Sequence, residues 1–331
     1  MKISILGAGG FLGRKIAARL ARDGALGDRK ITGLTLFDLT APPKMDAPFP
    51  VTALAGDLVH LPDAAIPPGT DVVFHLAAIV SAQAEADYDL GRRVNLRGTD
   101  AVIDACRRQA SLGGAPPRVV FTSSVASFTA KQTSVLPDGA RQVPGNSYGA
   151  QKAAAELILA DASRRGFVDA VSLRLPTVIV RPGRPNRAAS SFFSAIVREP
   201  LLGLETTLPV PDEFAVWVCS PRRAVDWLLH AAAMDTGAMG LDRSIDPPGI
   251  STTVAHLLQA LDEVQPGASA LVKRQEDRAI AAIVGSWPPA FEALHARTLG
   301  FSLHEPIVEV IRAFVEDDLE ATRIERGLGR G

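Results

Sequence analysis

The sequence predicts an α/β protein in which a doubly wound parallel sheet forms the N-terminal half and a smaller α/β region follows. Short apolar runs alternate with amphipathic helical patterns over roughly the first 180 residues, as in consecutive strand–helix–strand units. The runs, such as VVFHLAA from residue 72, show no polar alternation. This is typical of strands that helices cover on both faces.

These runs predict the elements in chain order. Strands are expected at residues 3–6, 34–37, 51–54, 72–76, 118–122 and 171–175, and helices at 11–23, 88–109 and 147–164. Prolines interrupt the chain after residue 181, where we expect loops and short elements. Within that part, helices are expected near 222–234, near 251–263 and at 303–325.

Composition excludes several classes of protein. The 331 residues carry 35 Lys and Arg against 36 Asp and Glu, so the chain lacks the basic surface that non-specific nucleic-acid binding requires. Two cysteines make no disulfide scaffold, and the six histidines show no metal-ligand spacing. No apolar run reaches the ~20 residues of a membrane span, and the N-terminal run is too short for a secretory signal. We therefore expect a cytoplasmic protein that binds no nucleic acid, membrane or metal.

Three glycines stand where the first predicted strand meets the first predicted helix. Gly7, Gly10 and Gly13 occur in ISILGAGGFLG. Glycine permits a tight turn and lets the backbone approach a pyrophosphate, while the amide groups of the first helical turn attract anions. Because a strand precedes the triplet and a helix follows it, dinucleotide binding is favoured over a turn without a ligand. The predicted fold is therefore Rossmann-like.

Asp38 ends the second predicted strand, 25 residues after Gly13. This is near the spacing at which an acidic residue binds the adenosine ribose. A carboxylate there accepts hydrogen bonds from both ribose hydroxyls and repels a 2′-phosphate, which favours NAD over NADP. The alternative role is that of a helix cap or a turn residue. Further cofactor contacts are expected at the ends of the next two strands, from Asp57, Leu58, Ala77 and Ala78.

Tyr148 and Lys152 occur in SYGAQK, four residues apart on a predicted helix and so on one face of it. A phenol is a poor base at neutral pH, but a nearby ammonium lowers its pKa. Ser124 follows the fifth predicted strand and is placed to hydrogen-bond a substrate oxygen. A half-buried tyrosine beside a surface lysine is the alternative for this pair. The glycine loop and the serine upstream favour catalysis.

Taken together, GAGGFLG, Asp38, FHLAA, VNLRGT, Ser124, YGAQK and RLPTVIVRPG resemble the extended short-chain dehydrogenases/reductases, an NAD-dependent epimerase/dehydratase-like family. The resemblance implies a seven-stranded sheet, an NAD-binding domain over residues 1–180 and a mainly substrate-binding domain over 181–331 that returns in part to the sheet. It implies Tyr148 as acid/base, Lys152 at the nicotinamide ribose and Ser124 at the reacting oxygen. Further cofactor contacts are implied for Phe11, Leu12, Asn95, Pro176 and Thr177, with Tyr148 and Lys152 also touching the cofactor.

Within this family the stretches VRPGRPNRAASSFFSAIVREPLLG and WVCSPRRAV resemble the D-erythronate dehydrogenases. That resemblance implies NAD-dependent oxidation of the C2 hydroxyl of a four-carbon sugar acid, with D-erythronate giving 2-oxo-erythronate as the best match. The substrate is expected to contact Ser124, Tyr148, Arg184, Asn186, Arg187 and Ser190. Arg181 is a further candidate for the carboxylate, and at least one of these arginines is expected to be a solvated loop charge.

Two other functions stay open. A nucleotide-sugar epimerase shares the cofactor half and usually retains NAD tightly, whereas a dehydratase carries acidic residues after the catalytic serine, where this chain has Val125 and Ala126. A non-catalytic NAD-binding regulator is disfavoured because Ser124, Tyr148 and Lys152 are all present. Family members are often homodimers built on a helix bundle, which residues 88–109 and 147–164 would supply.

Overall fold

A computed structural model describes residues 1–110, 114–185 and 188–329 of the chain. The strands are Lys2–Leu6 (β1), Ala25–Leu26 (β2), Arg29–Lys30 (β3), Gly33–Asp38 (β4), Val51–Ala55 (β5), Val72–His75 (β6), Arg118–Ser124 (β7), Val135–Leu136 (β8), Asp169–Leu175 (β9), Thr177–Val178 (β10), Thr206–Leu208 (β11), Ala215–Cys219 (β12), Ser244–Ile245 (β13), Ile250–Thr253 (β14), Val272–Arg274 (β15) and Ala290–Phe291 (β16). The helices are Phe11–Asp23 (α1), Ser81–Ala86 (α2), Tyr88–Arg92 (α3), Gly98–Ala110 (α4), Ser147–Arg164 (α5), Ser191–Leu201 (α6), Pro221–Ala233 (α7), Val254–Val264 (α8), Arg278–Val284 (α9), Leu294–Thr298 (α10), Ile307–Phe314 (α11) and Glu320–Glu325 (α12). One π-helical segment, Arg93–Arg97, joins α3 to α4, and another, Val315–Leu319, joins α11 to α12.

The chain divides into two compact units, and it passes between them more than once. The first unit comprises Met1–Ser123, Ala150–Arg174 and Val225–Ile245, and the second comprises Ser124–Gly149, Leu175–Ala224 and the chain from Asp246 on. This division differs from a single boundary at residue 180. Residues 225–245 belong to the first unit because β13 pairs with β9. The cofactor and substrate roles assigned to the two parts stay predictions.

The first unit is built on a seven-stranded parallel sheet in the order β13-β9-β7-β6-β1-β4-β5. Strand β1 is central: Ile5 pairs with Leu36 of β4 on one side and with Phe74 of β6 on the other. The chain thus winds outward from β1 in both directions, which defines the Rossmann-like topology. The predicted doubly wound parallel sheet is confirmed. A short antiparallel hairpin of β2 and β3 was not predicted.

The core of the first unit lies between the sheet and the helices that cover it. One cluster joins Leu6 and Val73 of the sheet to Val102 of α4 and Leu159 of α5, all buried. Residues of β6 are buried on both faces, which explains the absence of polar alternation in this part of the sequence.

The second unit contains short elements that tertiary pairing holds in place. Strands β10, β12 and β14 form a three-stranded sheet, and two parallel pairs, β11 with β15 and β8 with β16, complete its strands. The helix predicted near 251–263 begins only at Val254, because residues 250–253 pair with β12 and Thr253 caps the helix. The terminal helix begins at Ile307 rather than residue 303, immediately after Pro306. Within the described part of the chain, no helix has the length and apolar character needed to cross a membrane.

Gly149 sits in the first turn of α5, where the helix passes directly over the backbone that follows β7. A Cβ on Gly149 would lie 1.9 Å from the carbonyl oxygen of Ala126. The Gly149 N–H donates to Oδ1 of Asn146 at 2.8 Å, which caps the helix. The start of α5 therefore requires glycine at position 149, because there is no space for a Cβ atom.

Replacing Gly149 with Ala is expected to lower the free energy of unfolding by about 3 kcal/mol, because the new methyl group overlaps rigid backbone. Helix propensity alone predicts the opposite sign, a gain of about 1 kcal/mol. The matched control is Ala150→Gly at the next, exposed position, which is expected to cost about 1 kcal/mol. Urea unfolding of the three proteins measures both values. A stabilised Gly149→Ala variant would contradict this description of the α5 start.

Candidate active site

The glycine loop after β1 is shaped by close backbone contacts. The N–H groups of Gly7 and Ala8 both donate to the carbonyl oxygen of Phe37, at 2.8 and 3.1 Å. Gly7 has φ +94°, and a Cβ there would lie 2.6 Å from the amide nitrogen of Ala77. A Cβ on Gly13 would lie 2.3 Å from the carbonyl oxygen of Gly7. Both positions therefore require glycine.

A cavity of about 600 Å³ opens at the carboxyl end of β1 within the first unit. Its walls include these sequence-predicted residues: Gly7, Gly10, Asp38, Asp57, Leu58, Ala77 and Ala78. Phe11, Leu12 and Gly13 begin α1 instead and are not among its lining residues. Gly10 precedes α1 without a side-chain cap, and the first turn holds no acidic residue. Such a helix start favours an anion.

Asp38 ends β4 at the cavity wall, and two backbone amides hold its carboxylate. Gly9 N–H donates to Oδ2 at 2.8 Å, and Leu39 N–H donates to Oδ1 at 2.7 Å. Each carboxylate oxygen has more than one lone pair, so each can accept a further bond from a ribose hydroxyl. The glycine loop and the predicted ribose acceptor are thus linked directly.

Two other predicted cofactor residues are engaged with protein groups. Asp57 accepts the Val59 N–H at 3.0 Å and Arg93 Nη1 at 2.7 Å, and these bonds lower the pKa of its carboxyl group. Asn95 is buried; its amide bonds both backbone groups of Ile79 and donates to Gln151 Oε1 at 2.7 Å. Asn95 is not among the residues that line the cavity. Asn95 thus connects the loop after β6 to α5 through its hydrogen bonds with Ile79 and Gln151.

Helix α5 carries both residues of the predicted Tyr–Lys pair, one turn apart. The division between the units falls after Gly149, so Lys152 belongs to the first unit and Tyr148 to the second. Lys152 is buried, donates to the carbonyl oxygen of Thr122 at 2.7 Å, and places its Nζ 4.4 Å from the centre of the Phe121 ring. Burial lowers the pKa of Lys152 to about 7, and the charge of Glu156 opposes that shift.

Tyr148, Ser124 and Arg181 form a polar group in the second unit. Burial raises the pKa of the Tyr148 phenol, while the charge of Arg181 and a hydrogen bond with Ser124 act in the opposite direction. Ser124 Oγ also accepts the Ala126 N–H at 3.1 Å. The structure therefore brings together two of the three predicted catalytic side chains with Arg181, the further candidate for the carboxylate.

Arg181 is held by oxygen atoms on two sides. Its Nε donates to the Val178 carbonyl oxygen at 3.0 Å, and its Nη2 donates to Ser190 Oγ at 3.3 Å. Ser190 is buried and precedes α6 without capping it. Arg184, by contrast, is exposed, in accord with a solvated loop charge.

The remaining predicted residues are placed as follows. Thr177 is buried at the start of β10, and Pro176 directly precedes it. Asn186 and Arg187 lie outside the described residues.

Sequence reasoning missed two cations of the cavity wall, Arg14 and Arg93. Arg14 follows Gly13 directly, so its place in the first turns of α1 was a usable signal. Arg93 reaches Asp57 only through folding, and no local pattern marks it. Across the described residues, no group of three or more His, Cys, Asp or Glu side chains is placed to hold a metal ion.

The cavity fits a dinucleotide on its own geometry. At Gly7 one wall of the cavity is bare backbone, and the Asp38 carboxylate lies at the end of β4. Helix α1 starts there with no acidic residue in its first turn. These groups match a pyrophosphate and a ribose, in that order along the wall.

Comparison with known proteins agrees with this geometry. The model of the NAD-dependent epimerase/dehydratase family matches residues 3–217. The D-erythronate dehydrogenase of Cupriavidus necator is 44% identical over 96% of this chain and 98% of its own length. That of Haemophilus influenzae is 37% identical over 96% and 100%. A crystal structure described as the nucleoside-diphosphate-sugar epimerase from Agrobacterium tumefaciens superimposes with a TM-score of 0.90 at 45% identity, covering 97% of this chain and 95% of that one.

The prediction of NAD as cofactor agrees with the family that the comparison identifies. The family model covers more than half of the chain, and both dehydrogenases align over nearly their full length. The chain therefore belongs to the NAD-dependent epimerase/dehydratase family.

Proposed function

We propose that the chain is an NAD-dependent dehydrogenase that oxidises the C2 hydroxyl of a four-carbon sugar acid, with D-erythronate as the first substrate to test. Two relatives of this name, 44% and 37% identical along almost the whole chain, support the choice. The product is the corresponding 2-oxo acid.

The observation that carries the proposal is the position of Arg181. Its charge acts on the Tyr148 phenol, and its guanidinium is oriented by Val178 and Ser190. In a 2-hydroxy acid the carboxylate is attached to the very carbon that bears the reacting hydroxyl. A cation beside the acid/base group therefore suits this substrate, because arginine binds carboxylates through paired hydrogen bonds.

Each side chain then has a defined task. Tyr148 as phenolate accepts the proton of the C2 hydroxyl, and Ser124 hydrogen-bonds the same substrate oxygen. Arg181 binds the carboxylate and stabilises the phenolate by its charge. Lys152 supplies a second positive charge on the same helical face. NAD, when bound, accepts the hydride, and the protein supplies position and electrostatics.

A nucleotide-sugar epimerase is the second candidate, because the structure described by that name is 45% identical. In a nucleotide sugar the anionic diphosphate is several bonds from the ring hydroxyl that is oxidised. Arg181, which acts directly on Tyr148, is harder to account for with such a substrate.

We also propose a homodimer in a reducing compartment such as the cytoplasm. The support for the dimer is an apolar strip on the first unit. Leu157 and Ile158 of α5 are 70% and 37% exposed, and Tyr88 of α3 is 57% exposed. Solvent contact of large apolar side chains on adjacent helices favours a helix-bundle interface. Both cysteines are buried and free, which suits a reducing compartment.

The purified protein is expected to reduce NAD with D-erythronate, and Tyr148→Phe is expected to lower kcat about 10²–10⁴-fold because the proton acceptor is lost. Absorbance of NADH over a panel of four-carbon sugar acids measures this, with NADP as a second cofactor. The matched control is Tyr88→Phe at the other tyrosine of the chain, which is exposed and should retain full activity. Turnover of a nucleotide sugar without net NADH, and none of any sugar acid, would establish the epimerase instead.

Replacing Arg181 with Gln is expected to lower kcat/KM for the sugar acid about 10–100-fold, the value of a charged hydrogen bond. It should also move the acidic limb of the pH profile to higher pH, since the charge that lowers the pKa of Tyr148 is removed. Arg184→Gln, at an exposed position, is the control, and Arg181→Lys should restore the limb but not the affinity. Equal losses in the variants at 181 and 184 would count against Arg181 as the carboxylate partner.

Light scattering of the purified protein is expected to give a mass of twice 34.9 kDa. Leu157→Glu, which puts a charge in the apolar strip, should shift that mass to the monomer value, whereas Leu294→Glu, an exposed leucine of the second unit, should not. A single monomeric mass for the unmodified chain would refute the dimer.

A further inference from the structure

A buried polar cluster surrounds Glu156 in the first unit, and the catalytic scheme above uses only one of its members, Lys152. We call Ser123, Lys152, Glu156 and Arg174 the Glu156 cluster. Glu156 is 2% exposed, and the other three are 2–8% exposed. Carboxylates are almost never this deeply buried unless they are paired, so the cluster needs an explanation.

Side chains of two adjacent strands donate hydrogen bonds to the carboxylate of Glu156. Ser123 of β7 donates its hydroxyl to Oε1, and Arg174 of β9 donates Nε to Oε2 at 2.9 Å. Both carboxylate oxygens thus accept hydrogen bonds from side chains of the sheet, which fix the orientation of the Glu156 side chain.

Lys152 lies one turn before Glu156 on α5, so both side chains project from the same helical face. The Lys152 ammonium donates to the Thr122 carbonyl oxygen at 2.7 Å and lies over the Phe121 ring. Glu156 is the anionic group whose charge acts on this ammonium. The helix therefore presents Tyr148, Lys152 and Glu156 at successive turns.

Among the other described titratable groups on the elements around Lys152, Tyr148 of α5 is negative only as the phenolate of the catalytic scheme. His75 of β6 is buried and neutral, because burial and the charge of Lys152 lower its pKa to about 3. Strand β7 offers Phe121, Thr122 and Ser123, and Arg174 of β9 is a second cation. Glu156 therefore offsets the desolvation of Lys152, whose pKa of about 7 would otherwise be lower still.

We propose that Glu156, fixed by Ser123 and Arg174, is a positioning residue that keeps the Lys152 ammonium charged and directed at the Thr122 carbonyl oxygen. The proposal deepens the function proposed above and rests on it for its catalytic meaning. Its physical content, an electrostatic interaction between two buried side chains, is measurable without turnover.

The first test is the pH dependence of thermal stability. Lys152 titrates at about 7 when folded and near 10.5 when unfolded, so between these values the unfolded chain binds the additional proton and stability rises with pH. This rise should vanish in Lys152→Met. In Glu156→Gln the rise in stability should begin about one pH unit lower than in the unmodified protein. The double variant Lys152→Met/Glu156→Gln gives the pH dependence that does not come from Lys152, and this is subtracted.

Arg174→Gln is the matched control. It breaks the same buried ion pair but leaves the Glu156 charge in place, so the rise should begin at the original pH or above it. If Glu156 served packing alone, both variants would lose stability equally at every pH and neither would move the onset. That outcome would overturn the proposal. If Glu156→Gln does not fold, Glu156→Asp, which retains the charge one methylene further away, should move the onset in the same direction by less; an unmoved onset would overturn it too.

The second test uses turnover. In Glu156→Gln, kcat/KM at pH 8.5 relative to pH 6.5 is expected to fall about threefold, since Lys152 loses its proton at lower pH, and Arg174→Gln should show no such fall. An unchanged ratio in Glu156→Gln would refute the catalytic part of the proposal. A shifted stability onset in a protein that oxidises no sugar acid would retain the positioning role and reject the proposed substrate, so the two failures are distinguishable.

Discussion

The first unit depends on backbone segments that pack together with no side chain between them at the carboxyl end of β1. Gly13 lies against the carbonyl of Gly7, and Gly7 lies against the amide of Ala77, at distances that exclude a Cβ. Because β1 is the central strand, these contacts bring α1 and the end of β6 to one point. The wall of the cavity is therefore polar backbone, which can face a ligand without rearrangement.

Local patterns in the sequence predicted those parts of the fold whose burial is periodic. The bounds of α1 and α5 agree with prediction. Helix α1 has apolar spacing and ends at Gly24 in the left-handed conformation, and Asn146 caps the start of α5. The strand Ile250–Thr253 was instead absorbed into a predicted helix, since its pairing with β12 is a tertiary contact. The sequence analysis also did not predict the hairpin of β2 and β3 or the helices α9 and α10. These elements have only two to seven residues, which is too short for a recognisable periodicity.

The candidate site was predictable where spacing determines position, as for the glycine loop and Asp38. The site was less predictable where residues close in sequence have different surroundings in the structure. Arg181 and Arg184 are three residues apart, yet only Arg181 meets Val178 and Ser190, while Arg184 is exposed. Asn95 occurs in a motif that implied cofactor contact, but its amide joins Ile79 to Gln151. The hydrogen-bond partner of such a side chain depends on tertiary contacts, which a local sequence pattern does not reveal.

The scarcity of tyrosine in this chain has an optical consequence. The sequence contains only Tyr88, which is 57% exposed, and Tyr148, whose phenol is desolvated beside Arg181. Ultraviolet absorbance of phenolate therefore has two sources, and Tyr88→Phe leaves one. In that variant, the spectrum itself reports the proton on the acid/base group, before any substrate is added and independently of turnover.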